Sequence, residues 1–167
     1  LGSGLTLTRP EEQSEIAGVL ATHVGGLDPA DLRALDYPRF AEALTRGVAA
    51  HHAGMLPAFK GCVEECFVRG LTKVVFATET LALGINMPAR SVVLEKLVKY
   101  NGETHADITP GEYTQLTGRA GRRGIDVEGH AVVLWQPGLD PRAVAGLASR
   151  RTYPLRSSFA PTYNMAV

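Results

Sequence analysis

Apolar positions along the chain recur in two rhythms. Ile16, Val19, Leu20 and Val24 fall at three- and four-residue steps, the spacing of one helical face. Thr8-Arg-Pro-Glu11 precedes them as a Thr-x-x-Glu capping box, and Gly25-Gly26 ends the run. The same rhythm returns after Pro57, with Phe59, Cys62, Val63, Cys66 and Phe67 inward and Gly70 at the stop. Shorter helices are predicted over Asp28–Asp36, Pro38–Thr45 and Asp140–Arg150. Val48–His52, Lys73–Thr78, Ser91–Val98 and His130–Trp135 instead read as strands, the second of them buried, with a turn at Tyr100–Gly102. Helices alternating with strands predict an α/β sandwich around a mostly parallel sheet. Leu1-Gly-Ser-Gly carries no strand pattern, and Leu155–Val167 mixes Pro and aromatics without a period. Both ends therefore read as cuts from a longer chain.

Composition narrows the class without naming it. The 167 residues suffice for one core, and 45% of them are hydrophobic. Lys+Arg and Asp+Glu balance at 17 each, so a polyanion partner would need local donors rather than a broad basic field. No apolar run spans a bilayer and no leader pattern opens the chain, which predicts a cytoplasmic protein with no membrane partner. Two cysteines build no disulfide framework. Cys62 and Cys66 lie on the apolar side of their helix, and their spacing to His51 and His52 matches no zinc pattern, so no metal is expected.

The densest chemistry lies in Tyr113-Thr-Gln-Leu-Thr-Gly-Arg-Ala-Gly-Arg-Arg-Gly124. Thr109, Pro110 and Glu112 form a strong helix start, and Gly124 reads as its stop. A helix of that length would hold Gln115, Arg119 and Arg122 within about 60° of arc. Guanidinium offers fixed, bidentate donors to phosphate oxygens and stays charged. A solvated basic face is the plain alternative. Gly118 and Gly121 speak against it, because each costs roughly 0.8–1 kcal/mol against Ala in a helix. Something is expected to approach that backbone closely.

Two further loops follow predicted strands, where open α/β sheets gather ligand contacts. They are His52-Ala-Gly-Met-Leu-Pro57 and Thr78-Glu-Thr-Leu-Ala-Leu-Gly-Ile-Asn-Met-Pro88. Their hydroxyls and amides suit phosphate oxygens. Taken alone, Thr78 serves equally as a helix cap and Asn86 as a turn residue.

The order of the three stretches is more specific than any one of them. His-His-Ala-Gly-Met, Phe-Ala-Thr-Glu-Thr-Leu-Ala-Leu-Gly-Ile-Asn-Met-Pro-Ala-Arg and Gln-Leu-Thr-Gly-Arg-Ala-Gly-Arg-Arg-Gly-Ile-Asp resemble the second RecA-like domain of superfamily 2 helicases. The likeness is closest to the superkiller/exosome-associated DExH group and, within it, to bacterial HelY-type ATP-dependent RNA helicases. It runs from about Gly47 to Arg151, and Ser157–Met165 is similar to the lead-in to that group's winged-helix domain.

The resemblance implies a three-layer RecA-like domain over residues 1–153, lacking its first strand, with residues 154–167 leading into the next domain. It implies ATP as cofactor, with Gln115 on the nucleotide, Arg119 and Arg122 on the γ-phosphate, and Gly84 and Asn86 facing nucleotide as well. His52, Gly54 and Thr78 would touch the nucleic-acid backbone, with Glu79 coupling the two sites. The implied partners are RNA or, alternatively, DNA, together with the family's first RecA-like and winged-helix domains. The departures weigh equally. No Gly-x-x-x-x-Gly-Lys-Ser/Thr and no Asp-Glu-x-His occurs in these residues. In the family these belong to the first lobe, which also holds Mg²⁺, so this stretch by itself is expected to be inactive. A non-catalytic interaction module remains the reading from another class.

Overall fold

The computed structural model describes residues 4–78, 87–100 and 105–149. The chain divides into two compact units, Leu1–Met87 and Pro88–Val167.

Unit 1 is built on helix packing. Helix α1 spans Pro10–Val24, α2 Pro29–Ala34, α3 Tyr37–Thr45 and α4 Pro57–Val68. The apolar stripe of α1 meets α3 and α4, and Ile16 of α1, Leu44 of α3 and Val63, Cys62 and Cys66 of α4 are the most completely buried side chains among the described residues. Burying each aliphatic of that size contributes ~1.5–3 kcal/mol. Phe40 stacks on Phe59 with ring centroids 4.4 Å apart, and Tyr37 tilts against the same ring at 6.0 Å. Polar links span the rim: Arg69 reaches Glu15 at 2.5 Å and Glu65 at 3.3 Å, while His23 bonds Glu65 at 2.8 Å. Strand β1 (Val48–His51) pairs in parallel with β2 (Val74–Ala77), from Val48 opposite Val74 to His51 opposite Ala77.

Two expectations fail in this unit. Thr8 does not cap α1. Its hydroxyl donates to the Thr45 carbonyl at 2.6 Å, and the cap moves one residue on, where Arg9 N–H donates to Glu12 at 2.8 Å. Strand β2 is also not buried: Val74 and Phe76 are exposed. Among the described residues only β1 pairs with it, so its apolar run has one neighbour rather than two.

Among the described residues, unit 2 has a thinner core. Strand β3 (Ser91–Leu94) pairs in parallel with β6 (His130–Val133), while β4 (Val98–Tyr100) and β5 (His105–Asp107) pair antiparallel. Helices α5 (Pro110–Thr117) and α6 (Pro141–Ser149) pack on each other. Leu94, Ile108 and Tyr113 are the buried cluster, flanked by half-buried Val92, Leu97, Leu116, Val133 and Leu147. The single strand expected over Ser91–Val98 is two. It ends at Leu94, and the chain re-enters a different pairing at Val98, with β5 as partner. His105-Ala-Asp107 is too short and too polar for periodicity to reveal it.

Mixed α/β structure with short parallel strands is thus what the chain adopts. The described strands form three two-stranded pieces. The tail from residue 150 onward lies outside the described residues.

Candidate functional site

Helix α5 begins as expected. The Thr109 hydroxyl accepts from Glu112 N–H at 3.3 Å, and the Glu112 carboxylate accepts from Thr109 N–H at 2.7 Å. Burial would raise the Glu112 carboxyl, but hydrogen bonds from Lys99 and Thr109 outweigh it and hold the group below its ordinary range. The helix ends much sooner than expected. Thr117 is its last residue and Gly118 its cap, so Gln115 lies on the helix while Arg119 and Arg122 lie beyond it. The shared helical face is therefore corrected: the three side chains are not aligned by helical periodicity.

What holds the arginines instead is a bridge and a turn. Ala120 forms an isolated parallel bridge with Ala89. Ala89 N–H donates to the Arg119 carbonyl at 3.0 Å, and Gly121 N–H donates to the Ala89 carbonyl at 2.7 Å. The Arg122 carbonyl then accepts from Ile125 and Asp126 N–H at 3.0 and 2.9 Å, closing a turn. The glycines fit this path. Gly121 sits at φ 89° and Gly124 at φ 77°, a region open to Gly at no steric cost. Of the close approaches expected at Gly118 and Gly121, the one at Gly121 is present: a Cβ there would meet the Gly129 Cα at 3.2 Å, whereas one on Gly118 would meet only its own helix, with the Thr114 carbonyl at 2.8 Å. A Cβ on Gly129 would lie 2.5 Å from the Ala120 carbonyl and Gly121 nitrogen.

Arg122 is gripped side-on. Its Nε donates to one Asp126 oxygen and its Nη2 to the other, both at 2.8 Å, while its backbone N–H reaches the same carboxylate at 2.9 Å. The Asp126 side chain is 8% exposed and that of Arg122 40%. These hydrogen bonds hold the Asp126 carboxyl well below the usual carboxylate range and raise Arg122 further. Spacing alone gives Asp126 no role, although a carboxylate four residues from an arginine is a signal worth reading.

In unit 1, the loop after β1 is tied from both sides. His51 is buried, and its Nε2 lies 3.0 Å from a Glu64 oxygen on α4. Lys60 Nζ donates to the Ala53 carbonyl at 3.1 Å, and Met55 N–H donates to the His52 carbonyl at 3.2 Å. His52 and Gly54 are exposed at its rim. Thr78, exposed at the end of β2, is joined to the same place, because its N–H donates to the His51 carbonyl at 3.3 Å. The structure thus brings together the His52 loop and Thr78. Glu79, Gly84 and Asn86 lie outside the described residues. The Cys62 and Cys66 thiols are pushed up to about 11, mainly by burial, and so stay protonated and poor as metal ligands at neutral pH. No cluster of three His, Cys, Asp or Glu residues that could hold a metal ion occurs among the described residues. No helix among the described residues is long and apolar enough to cross a membrane.

A family model of the helicase conserved C-terminal domain matches residues 31–124, more than half of the chain. The chain belongs to the helicase C-terminal domain family. Over 167 residues, its whole length, it is 67% identical to the probable helicase HelY of Mycobacterium tuberculosis, covering 18% of that protein. It is 42% identical over 167 residues to superkiller complex protein 2 of Homo sapiens, covering 98% of this chain and 13% of that one. Against the DExH-box ATP-dependent RNA helicase DExH11 of Arabidopsis thaliana the figure is 41% over 168 residues, covering 98% and 12%. The chain therefore spans less than a fifth of the length of these curated relatives. The resemblance carried by the three motifs holds, and it places this helicase domain in the superkiller and HelY-like group of superfamily 2.

Proposed function

We propose that this chain is the second RecA-like motor lobe of an ATP-dependent RNA helicase, the central strands forming one layer between two layers of helices. Arg119 and Arg122 then meet the γ-phosphate of an ATP held by a partner lobe, which also supplies the P-loop and Mg²⁺, and Gln115 contacts the nucleotide. Gly84 and Asn86 complete that contact, and Glu79 links it to the nucleic-acid side. The cytoplasm, where ATP and RNA are both at hand, is the workplace this reading proposes.

The observation that carries this reading is the Arg119–Arg122 segment. Its backbone is pinned at Ala89, and Arg122 is held with its free edge uncommitted among the described residues. Preorganised guanidinium donors stabilise charge as it develops, without reorganising during the reaction. Arginine fingers contribute about 10³–10⁵ in rate where they have been measured. On the nucleic-acid side, the His52 loop and Thr78 share the His51 carbonyl and backbone, so they would move as one body during lobe closure. Contacts to phosphate read no base sequence, which suits a motor with broad substrates. The likeness to DExH11, an RNA helicase by name, favours RNA over DNA.

In the full-length helicase carrying this chain, Arg122→Ala is expected to lower ATP turnover by at least about a thousandfold while RNA affinity changes little. Turnover at the unaltered rate would refute the finger role. Comparing stimulation by single-stranded RNA and DNA separates the two substrates, and a parent protein with no stimulated turnover would be the interaction module instead.

A further inference from the structure

The Arg122–Asp126 pair leaves only part of the guanidinium available. A guanidinium has five N–H donors in a planar fork. Asp126 takes the edge formed by Nε and Nη2, so both donors of Nη1 and the second of Nη2 remain. Because the carboxylate engages two nitrogens at once, it fixes the guanidinium plane as well as its position. Because it also accepts from the Arg122 backbone N–H, that plane is locked to the main chain of the turn. The main chain is in turn locked to Ala89 by the bridge at Ala120. The carboxylate is almost enclosed while the arginine is substantially open.

We infer that Asp126 is a positioning residue for the arginine finger, holding Arg122 side-on so that its outer edge is aimed at the phosphate before ATP arrives. The inference rests on the finger reading of Arg122 and adds the group that aims it. Asp126 itself touches no substrate. An arginine on a flexible stem must otherwise lose rotamer freedom at each encounter, and the clamp removes that loss in advance. Asp126→Asn keeps the shape but puts an N–H₂ against one of the two guanidinium nitrogens, so the fork can no longer engage both.

The test uses the full-length helicase with three variants: Asp126→Asn, Asp126→Glu and Arg122→Ala. Asp126→Asn is expected to lower kcat by up to about a hundredfold, the cost of misplacing a reacting group by an ångström, with KM for RNA unchanged. Affinity for ADP with aluminium fluoride, a mimic of the transferring phosphoryl group, should fall by a similar factor while affinity for ADP alone stays constant. Asp126→Glu, which restores both acceptors on a longer arm, should recover part of each loss. In an Arg122→Ala background Asp126→Asn should cost nothing more, since the two act as one unit.

Four results would overturn the inference. Asp126→Asn at the wild-type rate would show no positioning, and a faster variant would show that the pair restrains the finger. Equal losses in RNA, ADP and phosphoryl-mimic binding would reveal a folding defect alone. If Arg122→Ala itself leaves turnover intact, the finger reading fails first and is distinguished from a failure of Asp126.

Discussion

The two units hold their exposed chemistry in different ways. In unit 1 the His52 loop stands on a dense core, with the Phe40–Phe59 stack and fully buried Val63, Cys62 and Cys66 behind it. Among the described residues of unit 2, three side chains form the buried cluster, and Val93, Val132, Leu134 and Trp135 are exposed. There the arginine segment is shaped by backbone: a bridge to Ala89, a turn at Arg122, and glycine against glycine at 121 and 129. The difference teaches that a site can be rigid without a large core beneath it, provided its main-chain groups are paired and its close approaches leave no slack.

The comparison breaks most sharply if the two supports are removed separately. Phe59→Ala deletes a buried ring and the stack it makes, and should cost about 3–5 kcal/mol, read as a shift in the denaturation midpoint. Gly129→Ala forces a Cβ to within 2.5 Å of three backbone atoms of Ala120 and Gly121. Its expected cost in stability is smaller, about 1–3 kcal/mol, but turnover of the full-length protein should fall with it as the Arg119–Arg122 segment shifts. A Gly129→Ala variant that keeps full turnover would mean that the backbone packing does not set the arginines.

The legible parts of the fold and site follow from where the signals lie. Helices α1 and α4 were readable because each sets four apolar residues on one face, and burial confirms those four in each, while Phe67, expected inward on α4, is only partly buried. The start of α5 was readable because Thr109, Pro110 and Glu112 are local signals. Its end was not. Helical periodicity extrapolated through Gly118 to Gly124, whereas the pairing of Ala120 with Ala89, thirty-one positions away, stops the helix at Thr117. A tertiary bridge has no local signature. The glycines did carry the information, as backbone approach and left-handed φ rather than as a break in a long helix. The grip of Glu64 on His51 was hidden for the same reason, since a strand and the following helix meet only in the fold.

A smaller effect sharpens the comparison from the acid side. Glu12 accepts from Lys73 at 2.7 Å and from the Arg9 N–H at 2.8 Å, and these bonds, Lys73 foremost, lower its carboxyl from 4.5 to about 2. In the unfolded chain the same group takes up a proton near its ordinary value. The folded state therefore binds this proton less readily. The stabilisation is present in full above about pH 5, and it is lost progressively as the pH falls from 4.5 towards 2. Asp126 in unit 2 is also held low, by Arg122, so acid weakens a grip in each unit with the same sign. Glu12→Gln should flatten the acid limb of the stability profile while leaving the Arg122 segment untouched, and Lys73→Met should do the same. The profile is read from denaturation midpoints between pH 7 and pH 2, and variants whose acid limb matches the parent's would show that the Glu12–Lys73 link contributes nothing to unit 1. Since the link is a surface one, its contribution should also shrink with added salt, whereas the effect of Phe59→Ala should not.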